Sequence, residues 1–291
     1  MPPQVGVVHL VWAPLGTAEL AGFLGAYRRH AAGVAHRLMV VYNGFSGGAD
    51  REPFRALARA VEHEELVMPA AVQDIPAYAA AARALDCEFL CFLNSYSRPL
   101  RAGWLAALHH HAARPEVGLA GGSGSWESHY SNLRAHVLAP ARFARHAAGQ
   151  WVRRRAAAGV RTYLAQRREL RCARAVFHPF PNPHVRSNGF MLRRETMLGL
   201  RLGEVRSKMD ALAFESGRGG MTRQVEAMGL QAVVVGATGE AYRPQEWHRS
   251  GTFRSGEQEN LLVADNRTAQ YAEADPELRA LLRRMAWGGA A

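Results

Sequence analysis

Short, uninterrupted apolar runs, each followed by a helical pattern, fill the first 120 residues and leave few folds open. Val5-Gly6-Val7-Val8-His9-Leu10-Val11-Trp12 is the first of them. A strand with one wetted face alternates apolar and polar residues, so an unbroken run suits the middle of a parallel sheet. Ala13-Pro14-Leu15-Gly16 ends it, and Thr17 is placed to cap a helix with Glu19 in its first turn. A second run, His36 to Tyr42, closes on the polar, glycine-rich Asn43-Gly44-Phe45-Ser46-Gly47-Gly48. A helix over 52–61 and a short strand at Leu66-Val67-Met68 follow. Asp74-Ile75-Pro76 then opens an alanine-rich helix, with aspartate as cap and proline in the first turn. Glu88 to Leu93 and Val117 to Gly122 add two more strands. Strand and helix alternate throughout, which predicts an α/β chain: a mostly parallel, Rossmann-type central sheet with right-handed crossovers and helices on both faces.

In such sheets ligands bind just beyond the carboxyl ends of the strands. The fourth run ends there in Asn94-Ser95-Tyr96-Ser97-Arg98-Pro99, a cluster of small polar groups closed by a proline, before a helix carrying Trp104. Ser123-Gly124-Ser125-Trp126-Glu127-Ser128 lies past the next strand in the same way.

The chain has 291 residues, 48% of them apolar and 21% charged, as expected of a folded globular protein. The N-terminus lacks the charged and apolar regions of a signal peptide, and no apolar run approaches the roughly 20 residues that span a bilayer, so a cytoplasmic location is the expectation. Cys87, Cys91 and Cys172 are too few for a disulfide framework. Cys87 and Cys91 have no second pair with which to form a zinc site, and period-two geometry puts them on one face among small core residues. The net charge of +11 rests almost wholly on arginine, Lys208 being the only lysine. Arginine suits bidentate phosphate contacts. A nucleoside diphosphate, an anionic membrane surface and a nucleic acid all fit that charge. The absence of helix-turn-helix, zinc and RNA-binding signatures argues against the last.

From residue 142 to 174 the texture changes. Arginines crowd the segment, while Trp151, Val152, Val160, Tyr163 and Leu164 recur at helical spacing. This pattern reads equally as solvated helices packed on the sheet or as a basic amphipathic contact with the inner membrane surface. Phe177 to His184 is a proline-rich extended connector. Val185 to Leu192 and Leu230 to Gly236 read as strands, and Pro276 to Met285 as a C-terminal helix behind a polar, turn-rich stretch. The organisation expected is a first half over 1–130, a basic helical insertion and connector over 131–180, and a second half with a C-terminal extension over 181–291, together one compact domain.

The order of these elements resembles the GT-A fold glycosyltransferases, in particular the large inverting family that uses nucleotide-sugar donors. The similarity lies in Val7 to Trp12, in Val40 to Ser46, in Phe92 to Pro99 with Gly103-Trp104-Leu105, and in Ser187 to Arg194 followed by Phe214-Glu215-Ser216-Gly217, Thr222-Arg223-Gln224 and Met228-Gly229-Leu230. It covers roughly residues 5–236 and implies a nucleotide-sugar-binding half over 1–130 and an acceptor half within 181–291 of one catalytic-type domain. Two departures stand out. The family's Asp-x-Asp metal motif is replaced by Asn94-Ser95-Tyr96-Ser97, and Glu215 is followed by serine where the family has a second acid.

The resemblance implies an inverting transfer in which a carboxylate takes the proton of the acceptor hydroxyl. Glu215 is its first candidate, with Phe214 to shield it and nearby glycines leaving room for a ligand. The competing reading makes Glu215 a helix-capping acid paired with Arg218 or Arg223. Asp210 is the second candidate, or a cap of the same helix. Donor contacts are expected from Tyr42 by stacking, from Asn43 and Asp74 by hydrogen bonds, and from Asn94, Ser95 and Ser97 in the loop. Arg98 and His248 are expected at the diphosphate, and Arg186, Arg249 and Arg254 are further sources of charge. Trp126, Glu127 and Asn188 fall on the acceptor side, Trp126 as a sugar floor or as core. A divalent ion, Mn or Mg, is compatible with the fold, but the loop supplies none of its usual acids. The partners implied are a nucleotide-diphosphate sugar and a glycan or lipid-linked acceptor. The alternative is a catalytically inactive scaffold that binds a glycan, a protein partner or an anionic surface.

Overall fold

The computed structural model describes residues 4–138 and 159–289. An eight-stranded sheet forms the centre. In chain order its strands are β1 (Val5–Trp12), β2 (His36–Asn43), β3 (Glu64–Val67), β4 (Phe89–Leu93), β6 (Val117–Gly121), β9 (Phe190–Arg193), β10 (Gln231–Val235) and β11 (Ala241–Tyr242). Four further short strands pair outside it: β5 (Arg98–Pro99) with β12 (Val263–Ala264), and β7 (Gly124–Ser125) with β8 (His184–Val185). Across the sheet the order is β11-β10-β6-β9-β4-β1-β2-β3. β3, β2, β1 and β4 pair in parallel, as do β6 and β10, while β9 runs antiparallel between β4 and β6. The α/β class, the mostly parallel sheet and the helices on both faces are as expected from the apolar runs.

Two apolar layers sandwich the sheet. On one face helices α1 (Thr17–Arg29), α2 (Gly48–Ala58) and α4 (Trp104–Ala112) bury Leu20, Phe23, Phe54, Trp104 and Leu108. On the other, α3 (Asp74–Ala84), α7 (Arg194–Gly199), α8 (Lys208–Ser216) and α9 (Met221–Ala227) bury Ile75, Tyr78, Met197, Phe214 and Val225. Cys87 and Cys91, expected on one face, belong to opposite layers, because Cys87 precedes β4 and so lies outside its two-residue period. Thr17 occupies the first helical turn and makes no cap bond; Gly16 precedes it with φ of 69°. At Gly118 a Cβ would come within 2.6 Å of Val225 and 2.8 Å of Leu230. Gly118→Ala is therefore expected to overpack the contact between β6 and α9 and to lower stability by about 1–3 kcal/mol, read by urea denaturation.

The strand expected over 185–192 is broken in two. Gly189 adopts φ of 64°, and Asn188 turns inward instead of continuing the ladder. α5 (His129–Leu138) and α6 (Gly159–Val176) pack together beside the sheet around Leu133, Ala173 and Phe177. The part of the basic segment that includes Trp151, Arg153, Arg154 and Arg155 lies outside the described residues. No helix among the described residues is long and apolar enough to cross a membrane. The C-terminal stretch carries α10 (Asn266–Ala272) and α11 (Pro276–Trp287). It is anchored by tryptophans: Trp287 Nε1 donates to the Phe253 carbonyl, and Trp126 Nε1 to that of Pro244, both at 2.8 Å.

Candidate functional site

Two cavities meet beyond the carboxyl ends of the central strands. The first, about 450 Å³, is walled by Leu10 and Trp12 of β1, Asn43 of β2, Asp74 at the start of α3, and Asn94, Ser95 and Tyr96 after β4. Arg186, Ser187, Lys208, Glu215 and Arg267 face it from the other side. Asn43 is buried and locks the segment leading into α3: its Nδ2 donates to the Val72 carbonyl at 2.7 Å, and its Oδ1 accepts from the Val72 amide at 3.1 Å. Asp74 accepts from the Ile75 amide at 3.0 Å; Gln73, not Asp74, occupies the cap position of α3.

Burial, and after it the nearby Glu215 charge, pushes the Asp74 carboxyl up to about 6. An acid whose pKa is raised by folding binds more protons folded than unfolded, so stability is lost as pH rises through the interval from about 4 to about 6. Asp74→Asn removes that penalty. It is expected to stabilise the protein at pH 7–8 by up to about 3 kcal/mol, less for the solvent screening at an open cavity, and to change little at pH 4. Chemical denaturation at the two pH values checks both the size and the sign.

The loop after β4 is held by internal bonds. Asn94 Oδ1 accepts from the Tyr96 amide at 2.9 Å and from Ser97 Oγ at 3.3 Å. Asn188 Oδ1 accepts from the Asn94 amide at 2.9 Å and from Ser97 Oγ at 2.5 Å. Asn188 and Ser97 are buried and build the loop without lining either cavity. A divalent cation bridging two phosphates prefers carboxylate ligands. The loop supplies only neutral donors, and the Asn94 oxygen is already engaged. No cluster of three or more His, Cys, Asp or Glu side chains able to hold an ion occurs among the described residues. The donor set does not fit such a metal.

Glu215 stands where the two cavities adjoin. It lies in the last turn of α8, and its Oε2 accepts from the Ser187 amide at 2.6 Å and from Ser187 Oγ. Its Oε1 is 3.9 Å from Nε2 of His184. Nδ1 of His184 donates to the Asn182 carbonyl at 2.8 Å, which leaves Nε2 the unprotonated nitrogen of a neutral ring. Burial lowers the His184 pKa and favours that neutral form. The partners proposed for a capping role are engaged elsewhere: Arg218 bonds the Arg174 carbonyl and His178, and Arg223 pairs with Glu226.

The second cavity, about 280 Å³, shares Arg186, Leu212, Glu215 and Arg267 with the first. Its polar side includes Glu127, Asn132 and His184, and its far wall comes from the C-terminal stretch. Two ion pairs brace it, the first buried and the second half-buried at Glu127. Arg186 Nη2 meets Asp265 Oδ2 at 2.7 Å, and Arg254 Nη1 meets Glu127 Oε2 at 2.9 Å. The Phe253 ring lies against both guanidinium groups, 4.3 Å from that of Arg186 and 4.9 Å from that of Arg254. Arg254 adopts φ of 45°, a left-handed conformation costly to a side chain of this size.

Several expected contacts are placed otherwise. Tyr42 is fully buried in the layer under α1 and α2, because one step along β2 reverses the face and only Asn43 reaches the cavity. Arg98 turns beneath α1 and pairs with Glu19 at 2.5 Å, close against Gly22. His248 lies against Trp126, its ring tilted by 50° with centroids 4.9 Å apart, and lines neither cavity. Trp126 is half-buried, packs against Trp287 and the apolar layer, and lines neither cavity. Asp210 forms a capping box with Ser207 at the exposed start of α8. Sequence reasoning offered Arg186 as a further source of charge but left Ser187, Lys208 and Arg267 out of the site; Lys208 stood out only as the sole lysine.

No protein-family model matches the chain, and no curated protein matches it in sequence. Among solved structures it is similar to a mannosyltransferase from Pyrobaculum calidifontis in complex with GDP-Man and Mn2+, at 15% identity over 42% of this chain and 35% of that one, TM-score 0.36. It is similar also to glucosyl-3-phosphoglycerate synthase from Mycobacterium tuberculosis in complex with Mn2+, UDP and phosphoglyceric acid, at 14% identity over 67% and 57% of the two chains, TM-score 0.38. TarS of S. aureus shares 10% identity over 40% and 34%, TM-score 0.32. The chain thus spans between a third and somewhat over half of the length of these proteins. The α/β architecture rests on the chain's own strand order.

Proposed function

We propose that the protein is a glycosyltransferase that moves a sugar from a nucleoside-diphosphate donor to an acceptor hydroxyl with inversion. The observation that carries the reading is the position of Glu215 on the partition common to two cavities, one at the strand ends and one against the C-terminal helices. The first takes the donor, with Asn43 and Asp74 at the nucleoside and Asn94 and Ser95 along the diphosphate and sugar. The second takes the acceptor. Glu215 Oε2 is held by Ser187, which leaves Oε1 to receive the proton of the acceptor hydroxyl as that oxygen attacks the anomeric carbon. The bond from the anomeric carbon to the diphosphate oxygen breaks on the opposite side. Lys208 and Arg267, exposed at the rim, and the buried Arg186 supply positive charge where the leaving group gains its negative charge. No step is routed through a metal, since the donor set does not suit one.

Thermal melting in the presence of UDP, GDP and TDP, each with and without manganese, tests the donor cavity. One nucleotide at a hundred times its Kd should stabilise the fold by about 2.7 kcal/mol, with little dependence on manganese. Failure of all three would favour the reading as an inactive scaffold, which the neutral, internally bonded loop at Asn94–Ser97 also suits.

A further inference from the structure

The second cavity has two chemically distinct walls. One is polar and fixed in orientation by Glu127, Asn132, His184, Glu215 and Arg254. The other is α11, which turns Leu278, Leu281, Leu282 and Met285 toward the cavity. These positions follow the i, i+3, i+4, i+7 spacing of one helix face. Leu282 is buried, but Leu278, Leu281 and Met285 are only half-buried, so the stripe keeps apolar surface unpacked at the cavity. Leu212 of α8 extends it to the partition beside Glu215. Arg283 and Arg284, on other faces of the same helix, are exposed.

We infer that the acceptor is amphipathic: a hydroxylated head lies along the polar wall with one hydroxyl at Glu215, and an alkyl or prenyl chain runs along the α11 stripe. This rests on the transfer reading above. Both arginines at the polar wall are paired, Arg254 with Glu127 in the wall and Arg186 with the buried Asp265, so the wall offers paired donors and acceptors suited to hydroxyl groups. The stripe from Leu278 to Met285 extends about 10 Å along the helix, which accommodates a chain of about octyl length. A wholly polar glycan would leave that surface against water; a chain laid on it removes apolar area from water on both partners.

Titration calorimetry with methyl, butyl, hexyl and octyl β-glucosides, all below their micelle thresholds, reads the inference directly. Affinity should rise by up to about fourfold per methylene buried and level off near octyl. Leu281→Gln and Met285→Gln should remove most of that gain while leaving methyl glucoside binding unchanged. Arg284→Ala, on the exposed side, should leave the whole series as in the wild type. Nucleoside-diphosphate binding, measured on the same variants, keeps the two readings apart. Loss of nucleotide binding in the wild-type protein would overturn the transfer reading alone. Equal affinity across the glucoside series, a chain-length gain that survives both glutamine variants, or no glucoside binding at all would overturn the amphipathic acceptor.

Discussion

Replacing Glu215 by glutamine is expected to reduce sugar transfer by about 10²- to 10⁴-fold while leaving the fold and nucleotide affinity close to wild type. The glutamine oxygen can still accept from the Ser187 amide and hydroxyl, so the partition between the cavities keeps its shape. What is lost is the proton acceptor on the side of His184 and the acceptor cavity. His184 offers no ready substitute as base, because burial disfavours its charged form. A second consequence follows at Asp74, whose raised pKa owes part of its shift to the Glu215 charge. In Glu215→Gln the pH-dependent penalty at Asp74 should shrink, so the variant should melt slightly higher than wild type near pH 7. Product formation from the nucleotide sugar that best stabilises the protein, with melting curves at two pH values, reads both effects. Unchanged transfer in a folded Glu215→Gln protein would remove Glu215 from the role of base.

The parallel strands were legible because burial on both faces writes them as unbroken apolar runs, and Val5–Trp12 and Phe89–Leu93 are the plainest. The break within 185–192 was not. It depends on Asn188 meeting Ser97, 91 residues away, a contact that no local pattern announces. The same distinction runs through the site. Asn43, Asp74, Asn94 and Ser95 follow strand ends or start a helix, and the topology alone brings them to one rim. Tyr42 was misplaced by one step of strand phase, and Arg98 by a partner on α1, 79 residues earlier. Apart from the charge of Arg254, the wall made by Phe253, Arg254, Arg267 and α11 had no sequence signal linking it to the strand ends. Its membership of the site comes from the tryptophan contacts that fold the C-terminal stretch back, such as Trp287 on the Phe253 carbonyl.

Asp265→Ala should be among the most destabilising single substitutions in the chain. Asp265 is buried and does two things at once. Its Oδ2 accepts from Arg186 at 2.7 Å, and its Oδ1 accepts from the amides of Arg267 and Thr268, both at 2.9 Å, as the cap of α10. Loss of the cap costs about 1 kcal/mol. Loss of the ion pair leaves the Arg186 guanidinium buried against Phe253 with its counter-charge gone, a defect of about 3–5 kcal/mol. Together they approach the whole stability of an ordinary domain. Two further variants separate the terms. Asp265→Asn retains a good cap residue but not the charge, so it should recover only the smaller share. Arg186→Met combined with Asp265→Asn removes the stranded charge and should be more stable than Asp265→Asn alone, although it strips positive charge from both cavities and should therefore weaken nucleotide binding. Urea denaturation of the three proteins gives the comparison. If Asp265→Asn proved as stable as wild type, the Arg186 pair would contribute nothing net, and the cap alone would account for the burial of this acid.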